Sequence, residues 1–220
     1  MPLSLLYPFP MIAQNFKEIM KALPKATKLI AVSKQQPEER IEEALSFGQR
    51  VYGENRVQEA YQRWEKRRTQ YGDDLELHLI GPLQSNKAAE AVALFDVIHT
   101  LDRPKVAKVL ATEMQKQKRD LPCFIQVNIG EEDQKSGIMP ADLHEFYEYC
   151  TKECSLNIIG LMCIPPIDEP AGLYFALLKK MAASLGVSSL SMGMSGDYEK
   201  AVALGATHIR VGSALFGARE

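Results

Sequence analysis

The 220-residue sequence predicts an α/β protein built as a single closed (β/α)8 barrel with an extra amino-terminal helix. Three observations carry this. Strand-like apolar runs alternate with helix-like stretches eight times. Several of those runs are near-continuously apolar or β-branched, as in Phe124-Ile125-Gln126-Val127, which suits parallel strands buried on both faces. Polar residues and glycines gather just after the runs, and a barrel collects strand ends on one face. An open doubly wound sheet usually has fewer strands. Its nucleotide-binding forms lack support, because no Gly-x-Gly-x-x-Gly follows the first run and no Gly-x-x-x-x-Gly-Lys-Ser/Thr occurs. The length suits one compact barrel with no second domain. Residues 1–220 therefore read as one domain, with the barrel proper at about 28–218.

A first helix spans Met11 to Leu23. Strands follow at Lys28–Ser33, Arg50–Gly53, Glu76–Ile80, Val97–Thr100, Cys123–Asn128, Asn157–Cys163, Ser189–Met192 and His208–Val211. Helices lie between them near Glu38–Phe47, Arg56–Tyr71, Asn86–Leu94, Lys105–Gln117, Ala141–Lys152, Ala171–Leu185 and Asp197–Leu204, with a short one after Gly212. Turn residues punctuate the pattern at Gly48, Gly53, Gly72, Gly81-Pro82, Gly130, Pro140, Pro165-Pro166, Gly186 and Gly205. Gly48 and Gly205 fit helix stops.

With 46% apolar and 25% charged residues and a formal charge of -2, the chain gives no electrostatic case for nucleic acid or acidic membrane as a partner. Its densest basic stretch, Arg63-Trp64-Glu65-Lys66-Arg67-Arg68, reads as a solvated helix face. Three prolines and no positive flank argue against a signal peptide in Met1–Pro10, and no apolar run reaches the length of a membrane span. The cysteines, Cys123, Cys150, Cys154 and Cys163, lack zinc spacing. Reduced thiols in a cytoplasmic protein are the economical reading. His99, His144 and His208 are scattered along the chain, so no metal site or hydrolytic triad is supported; His78, inside a strand, reads as core.

Lys34 ends the first strand. Lysine forms Schiff bases when an apolar site lowers its pKa, although a charged strand end is commonly just solvated. Glu54 and Asn55 follow strand two and are placed to orient groups around the lysine or, for Asn55, to cap the next helix. Ser195-Gly196 and Gly212-Ser213 join strands seven and eight to helix starts. Each alone is ordinary helix entry; together, at these two strands, they favour an anion site made of amides and hydroxyls. Arg210 brings a fixed positive fork nearby, or else pairs with a buried carboxylate. Met192-Gly193-Met194 packs around a flat ligand or belongs to the core. The polar loop Glu131–Gly137 reads as an exposed linker, with a lid as the alternative. A lysine opposite a phosphate seat suggests a phosphorylated carbonyl compound.

These segments resemble the pyridoxal-phosphate homeostasis protein family, the YggS/PROSC type. The matching residues are Ala31–Lys34, Gly53–Asn55, Ile80–Lys87, Val127–Ile129, Lys135–Gly137, Gly160–Met162, Ser191–Asp197 and Arg210–Ser213, collinear from about Lys28 to Gly217. The strings Ile80-Gly81-Pro82-Leu83-Gln84-Ser85-Asn86-Lys87 and Ser191–Asp197 are specific. The resemblance implies a barrel like the amino-terminal domain of alanine racemase, with pyridoxal 5'-phosphate (PLP) held as a Schiff base on Lys34. It places Ser195, Gly196, Gly212 and Ser213 on the phosphate and Arg210 on the pyridine nitrogen, with Asn55 and Met194 also in the cofactor site. Departures are Leu77 and Leu79, where aromatics often flank the family histidine (here His78), Gln35 in place of a common threonine, and a short segment before Lys28.

An arginine on the ring nitrogen disfavours that nitrogen's own proton and weakens the ring as an electron sink, which argues against transamination and tolerates racemisation. Racemisation needs an acid/base on each face of the substrate carbon. In alanine racemase the second comes from a tyrosine supplied by dimerisation and an added β domain, and this chain ends at Glu220. The expectation is a monomeric carrier in PLP homeostasis, with no or marginal catalysis and PLP-dependent apoenzymes as candidate partners. The alternative is a PLP-dependent amino-acid racemase using Tyr7, Tyr52 or another local residue as second base. A lysine-dependent aldolase is the weakest reading.

Overall fold

Eight parallel strands pair in chain order, and the first pairs with the last, so the sheet closes. The computed structural model describes residues 11–217. The strands are β1 (Lys28–Val32), β2 (Val51–Glu54), β3 (Glu76–Leu79), β4 (Val97–Leu101), β5 (Cys123–Val127), β6 (Ile158–Cys163), β7 (Ser189–Met194) and β8 (His208–Val211). Around them run α1 (Met11–Ala22), α2 (Glu38–Ser46), α3 (Val57–Tyr71), α4 (Ala88–Leu94), α5 (Pro104–Gln117), α6 (Leu143–Glu148), α7 (Ala171–Ser184), α8 (Tyr198–Ala203) and α9 (Ser213–Phe216). The eight-stranded barrel and its extra first helix are as expected. The boundaries shift locally. The helix expected from Asn86 opens as a 3₁₀ turn over Ser85–Lys87. The one expected over Ala141–Lys152 starts with a 3₁₀ turn at Pro140–Asp142 and widens to a π turn over Tyr149–Glu153. Thr151 Oγ1 donates to Tyr147 O at 2.8 Å there, which competes with the backbone for that carbonyl.

Strand alternation sorts residues into two layers. Outward side chains meet the helices and form the main core: Leu29 and Ala31 of β1, Tyr52 of β2, Leu77 and Leu79 of β3, with Ile41, Leu45 and Trp64 from the helices. Each buried leucine or isoleucine among these contributes about 1.5–3 kcal/mol. Trp64 lies with its ring 4.4 Å from that of Tyr52. Inward, Val97, Phe124 and Met162 make a smaller apolar cluster. Helix α1 packs on α9 and α2, and Asn15 Nδ2 donates to Leu215 O at 3.1 Å.

The barrel interior also holds three histidines. His78 and His99 have ring centroids 4.9 Å apart, and His208 lies 6.0 Å from the first and 5.9 Å from the second. Positions scattered in sequence thus converge, because each faces inward from its own strand. This corrects the expectation of isolated histidines. No group of three or more His, Cys, Asp or Glu among the described residues is arranged to hold a metal ion. Nor is any described helix long and apolar enough to cross a membrane.

Near the mouth, Gly193 of β7 has φ of +93°, and the pairing with β8 shifts register between Ser191 and Met194. The irregularity re-aims the end of β7. A Cβ here would lie 2.6 Å from Ala201 Cβ, so Gly193→Ala is strained in backbone and in space. It should destabilise the fold by about 1–3 kcal/mol, read as a lower urea midpoint.

Burial pulls His78, His99 and His208 below their ordinary imidazole value, His208 to about 3. Unfolded imidazoles take up protons below pH 6.5 or so while these stay neutral, so the unfolded chain binds more protons in that window and stability rises with pH. Glu76, held at about 2 by the hydrogen bond from His78 and by Lys28, acts in the same direction below the ordinary carboxylate range. Urea midpoints should therefore fall progressively as pH drops from 6.5 toward 3. A flat profile would contradict neutral buried imidazoles.

Candidate functional site

Lys34 sits two residues beyond β1, half-buried, followed by Gln35 at φ +57°. The turn is held from behind by α3. Arg63 Nη1 donates to Ser33 O at 2.6 Å and Arg63 Nη2 to Gln36 O at 3.1 Å. The same guanidinium pairs with Glu54, at 3.1 Å, and with Glu38, at 3.0 Å. Glu54 is fully buried; its Oε1 also accepts from Ser33 Oγ at 2.7 Å and Trp64 Nε1 at 2.9 Å. Arg63 and Arg67 are only 15% and 13% exposed. Within the stretch Glu65 and Lys66 are solvated as expected, but Arg63, Trp64 and Arg67 are not. Arg63 clamps the lysine turn to the strand beside it. The helical pattern hid this because long arginine stems fill space while their heads bond the backbone.

On the other side of the mouth, Ser195 ties two loops together. Its Oγ accepts from Gly212 N and Ala214 N, both at 3.2 Å. Both acceptor positions of the hydroxyl are then used, leaving its proton to donate. Asp197 Oδ1 accepts from Met194 N at 2.6 Å and closes the turn after β7. A Cβ on Gly196 would meet no atom within 4 Å, so protein packing does not demand a glycine there, whereas close approach of a ligand to its backbone would.

Arg210 is almost fully buried, and its partners are a hydroxyl and a carbonyl, not the carboxylate of a structural ion pair. Nη1 donates to Ser191 Oγ at 2.7 Å and Nη2 to Cys163 O at 2.9 Å. Burial lowers its pKa from the ordinary guanidinium value, which still leaves it charged at neutral pH. Burial pushes the Cys163 thiol up to about 12, so Arg210 faces no thiolate.

All eight residues singled out for a cofactor, Lys34, Asn55, Met194, Ser195, Gly196, Arg210, Gly212 and Ser213, line one cavity of about 300 Å³. Val32, Ile80 and Ile164 supply its apolar wall. Asn55 does not cap α3, which starts at Val57 with no side-chain cap. Its Oδ1 is buried and bonds no described residue, so the amide retains capacity for a ligand. The β2 and β3 ends touch closely at this point: a Cβ on Gly81 would lie 2.2 Å from Asn55 O. Tyr52, one of the candidate second bases, points away from the cavity. It is fully buried against Trp64, and burial pushes its phenol well above the ordinary value. The four residues of β2 did not reveal which face Tyr52 takes. Tyr7 lies outside the described residues.

A second hollow of about 280 Å³ adjoins the first and shares Asn55, Ile80 and Ile164 with it. Its outer wall is the loop after β5, expected as an exposed linker. The loop is exposed at Glu131, Asp133, Gln134 and Ser136, as expected, yet it is pinned to the barrel: Gln126 Nε2 donates to Ser136 O at 3.0 Å, Asn128 Nδ2 to Glu132 O at 2.8 Å and Lys135 Nζ to Pro165 O at 3.2 Å. A larger hollow, about 650 Å³, lies outside the barrel between α5 and the turn after α6, away from the strand ends that carry the convergent polar groups.

The chain matches the family described as alanine racemase, N-terminal domain, over residues 10–220. It is 39% identical over 206 residues to the pyridoxal phosphate homeostasis protein of Vibrio alginolyticus, covering 90% of this chain and 88% of the relative. It is 38% identical over 205 residues to the protein of that name from Escherichia coli K12, with the same coverage. Among solved structures, PipY of Synechococcus elongatus with PLP bound superposes with a TM-score of 0.86 at 39% identity, covering 94% of this chain and 100% of PipY. This barrel, with a lysine after β1 and two glycine-serine loops after β7 and β8, therefore belongs to the alanine racemase N-terminal-domain family and, within it, to the pyridoxal phosphate homeostasis proteins.

Proposed function

We propose that this chain binds PLP in the cavity at the barrel mouth, with Lys34 holding it as a Schiff base, and that it serves PLP homeostasis as a carrier with no or marginal catalysis. The observation that carries the reading is the single cavity lined by Lys34, Arg210 and both glycine-serine loops. Its volume suits a small ligand, and PipY, 39% identical, binds PLP.

PLP supplies an electrophilic aldehyde and a phosphate when bound. Lys34 would hold the aldehyde carbon through its ε-amine, while Arg63 and Glu54 keep the lysine turn in place. The amides of Gly196 and Ser213 and the free proton of Ser195 face the phosphate. Arg210 would donate to the pyridine nitrogen, and Ile80, Ile164 and Met194, which line the same cavity, would flank the ring. Asn55 offers its unsatisfied amide to the ring's polar edge. In this reading the protein is a single-domain monomer in the cytoplasm that passes PLP to apoenzymes, and its four free cysteines suit that compartment.

Racemisation is the rival reading. The outward-facing position of Tyr52 removes one of the candidate second bases. Assayed for D/L interconversion of amino acids, the PLP-loaded protein should not reach the roughly 1–10³ s⁻¹ of ordinary enzymes; turnover in that range would defeat the carrier reading.

Borohydride reduction of the loaded protein should trap the cofactor on Lys34, and Lys34→Ala should abolish the adduct. An adduct persisting on another lysine would overturn the assignment. Ser195→Ala should weaken PLP binding roughly 10- to 100-fold, as loss of a hydrogen bond to a charged group implies. Arg63→Ala, which touches no cofactor, should still slow adduct formation by about tenfold or more through misplacement of Lys34.

A further inference from the structure

Five residues from four strands and the bond lengths between them form a continuous path through the barrel interior. Arg210 Nη1 to Ser191 Oγ is 2.7 Å, Ser191 Oγ to His99 Nδ1 2.8 Å, His99 Nε2 to His78 Nδ1 2.7 Å and His78 Nε2 to Glu76 Oε1 2.9 Å. Lys28 Nζ closes the far end on Glu76 at 2.7 Å. Ser191, His99 and His78 are fully buried.

The two ends, together with neutral imidazoles, fix the direction of every bond between them. A guanidinium only donates, so Ser191 Oγ accepts from Arg210. A carboxylate only accepts, so His78 Nε2 carries a proton and donates to Glu76. With His78 neutral, its Nδ1 has no proton and accepts from His99 Nε2. His99, also neutral, then has a bare Nδ1 that accepts the proton of Ser191. Both imidazoles are thus Nε2–H tautomers. No group in the path has a second way to satisfy all its neighbours. Charging His99 would turn its Nδ1 into a donor aimed at the oxygen that Arg210 uses. Phe124 stacks on His99 at 4.3 Å, and His208, the remaining titratable neighbour, sits edge-on to it; both fix the ring and exclude water.

We propose that Ser191, His99 and His78 are positioning residues for the cofactor: through this one-way chain, anchored on Glu76, they hold the Arg210 guanidinium in the orientation that meets the pyridine nitrogen of PLP. The proposal rests on the reading that PLP occupies the mouth cavity with its ring nitrogen at Arg210. It assigns a binding role to residues that touch no ligand and lie below the cavity.

The first test needs no cofactor. In ¹⁵N-labelled protein at neutral pH, His78 and His99 should both give the signals of neutral rings protonated at Nε2. A proton on Nδ1 of either ring would break the direction of the chain and overturn the proposal, whether or not PLP binds. The second test is a double-mutant cycle on PLP affinity. Ser191→Ala should weaken binding roughly 10- to 100-fold, and His99→Phe, which keeps the stack on Phe124, should weaken it by a smaller factor. In the Ser191→Ala background, His99→Phe should cause no further loss, because the path to Arg210 is already cut. An equal loss in both backgrounds would mean that His99 acts through packing alone and would sink the idea. Should the wild type fail to bind PLP, the functional reading fails, and the tautomers still decide the chain.

Discussion

The pairing of β1 with β8 is the constraint on which the site depends. Lys28 opposes His208, and Ile30 opposes Arg210, so the first and last strands of the chain lie side by side. Without that closure, Lys34 and the Gly212-Ser213 loop would sit at opposite edges of an open sheet. With it, a lysine from the start of the sequence and an arginine and amide loop from its end share one small cavity. Parallel strands also point every carboxyl end the same way, so the convergence of polar groups follows from topology and needs no long-range pairing of loops.

Below that mouth the barrel is not a uniform apolar core. Its interior carries Phe124, Met162 and Val97 on one side and neutral histidines bonded to Ser191 and Glu76 on the other. Buried polar groups of this kind are tolerated only when each is satisfied. The apolar packing that keeps His99 uncharged and the hydrogen bonds that use its nitrogens are therefore one arrangement. It gives the buried arginine a defined neighbour without a counter-carboxylate. Outside the barrel, Glu54 does the equivalent for the lysine turn, binding Ser33, Arg63 and Trp64 at one oxygen. The two residues proposed to meet the aldehyde and the ring nitrogen are thus each held by a separate buried network, one outside the strands and one within.

Much of this was legible from residue order. The run Cys123–Val127 is buried at every position, which is why its near-continuous apolar character marked a parallel strand. Asn55, Ser195 and Arg210 could be placed on one rim because strand ends in a barrel share it. Three features were not legible, each for a physical reason. Which residues of a short strand face inward depends on register around the closed sheet, so Tyr52 facing out and His78, His99 and His208 facing in could not be read locally. Arg63 follows a helical pattern, and nothing in that pattern tells a solvated guanidinium from one bonded to Ser33 O and Gln36 O. The loop after β5 is polar by composition, yet what fastens it is two of its backbone carbonyls, bonded by Gln126 and Asn128, and the Lys135 ammonium on Pro165 O.

The most direct test of the account is a crystal structure of this protein grown with PLP. The account predicts density continuous from Lys34 Nζ to the cofactor, the phosphate between Ser195-Gly196 and Gly212-Ser213, and the ring nitrogen within hydrogen-bonding distance of Arg210. A phosphate seated elsewhere, or a ring nitrogen turned away from Arg210 with Lys34 unmodified, would contradict it.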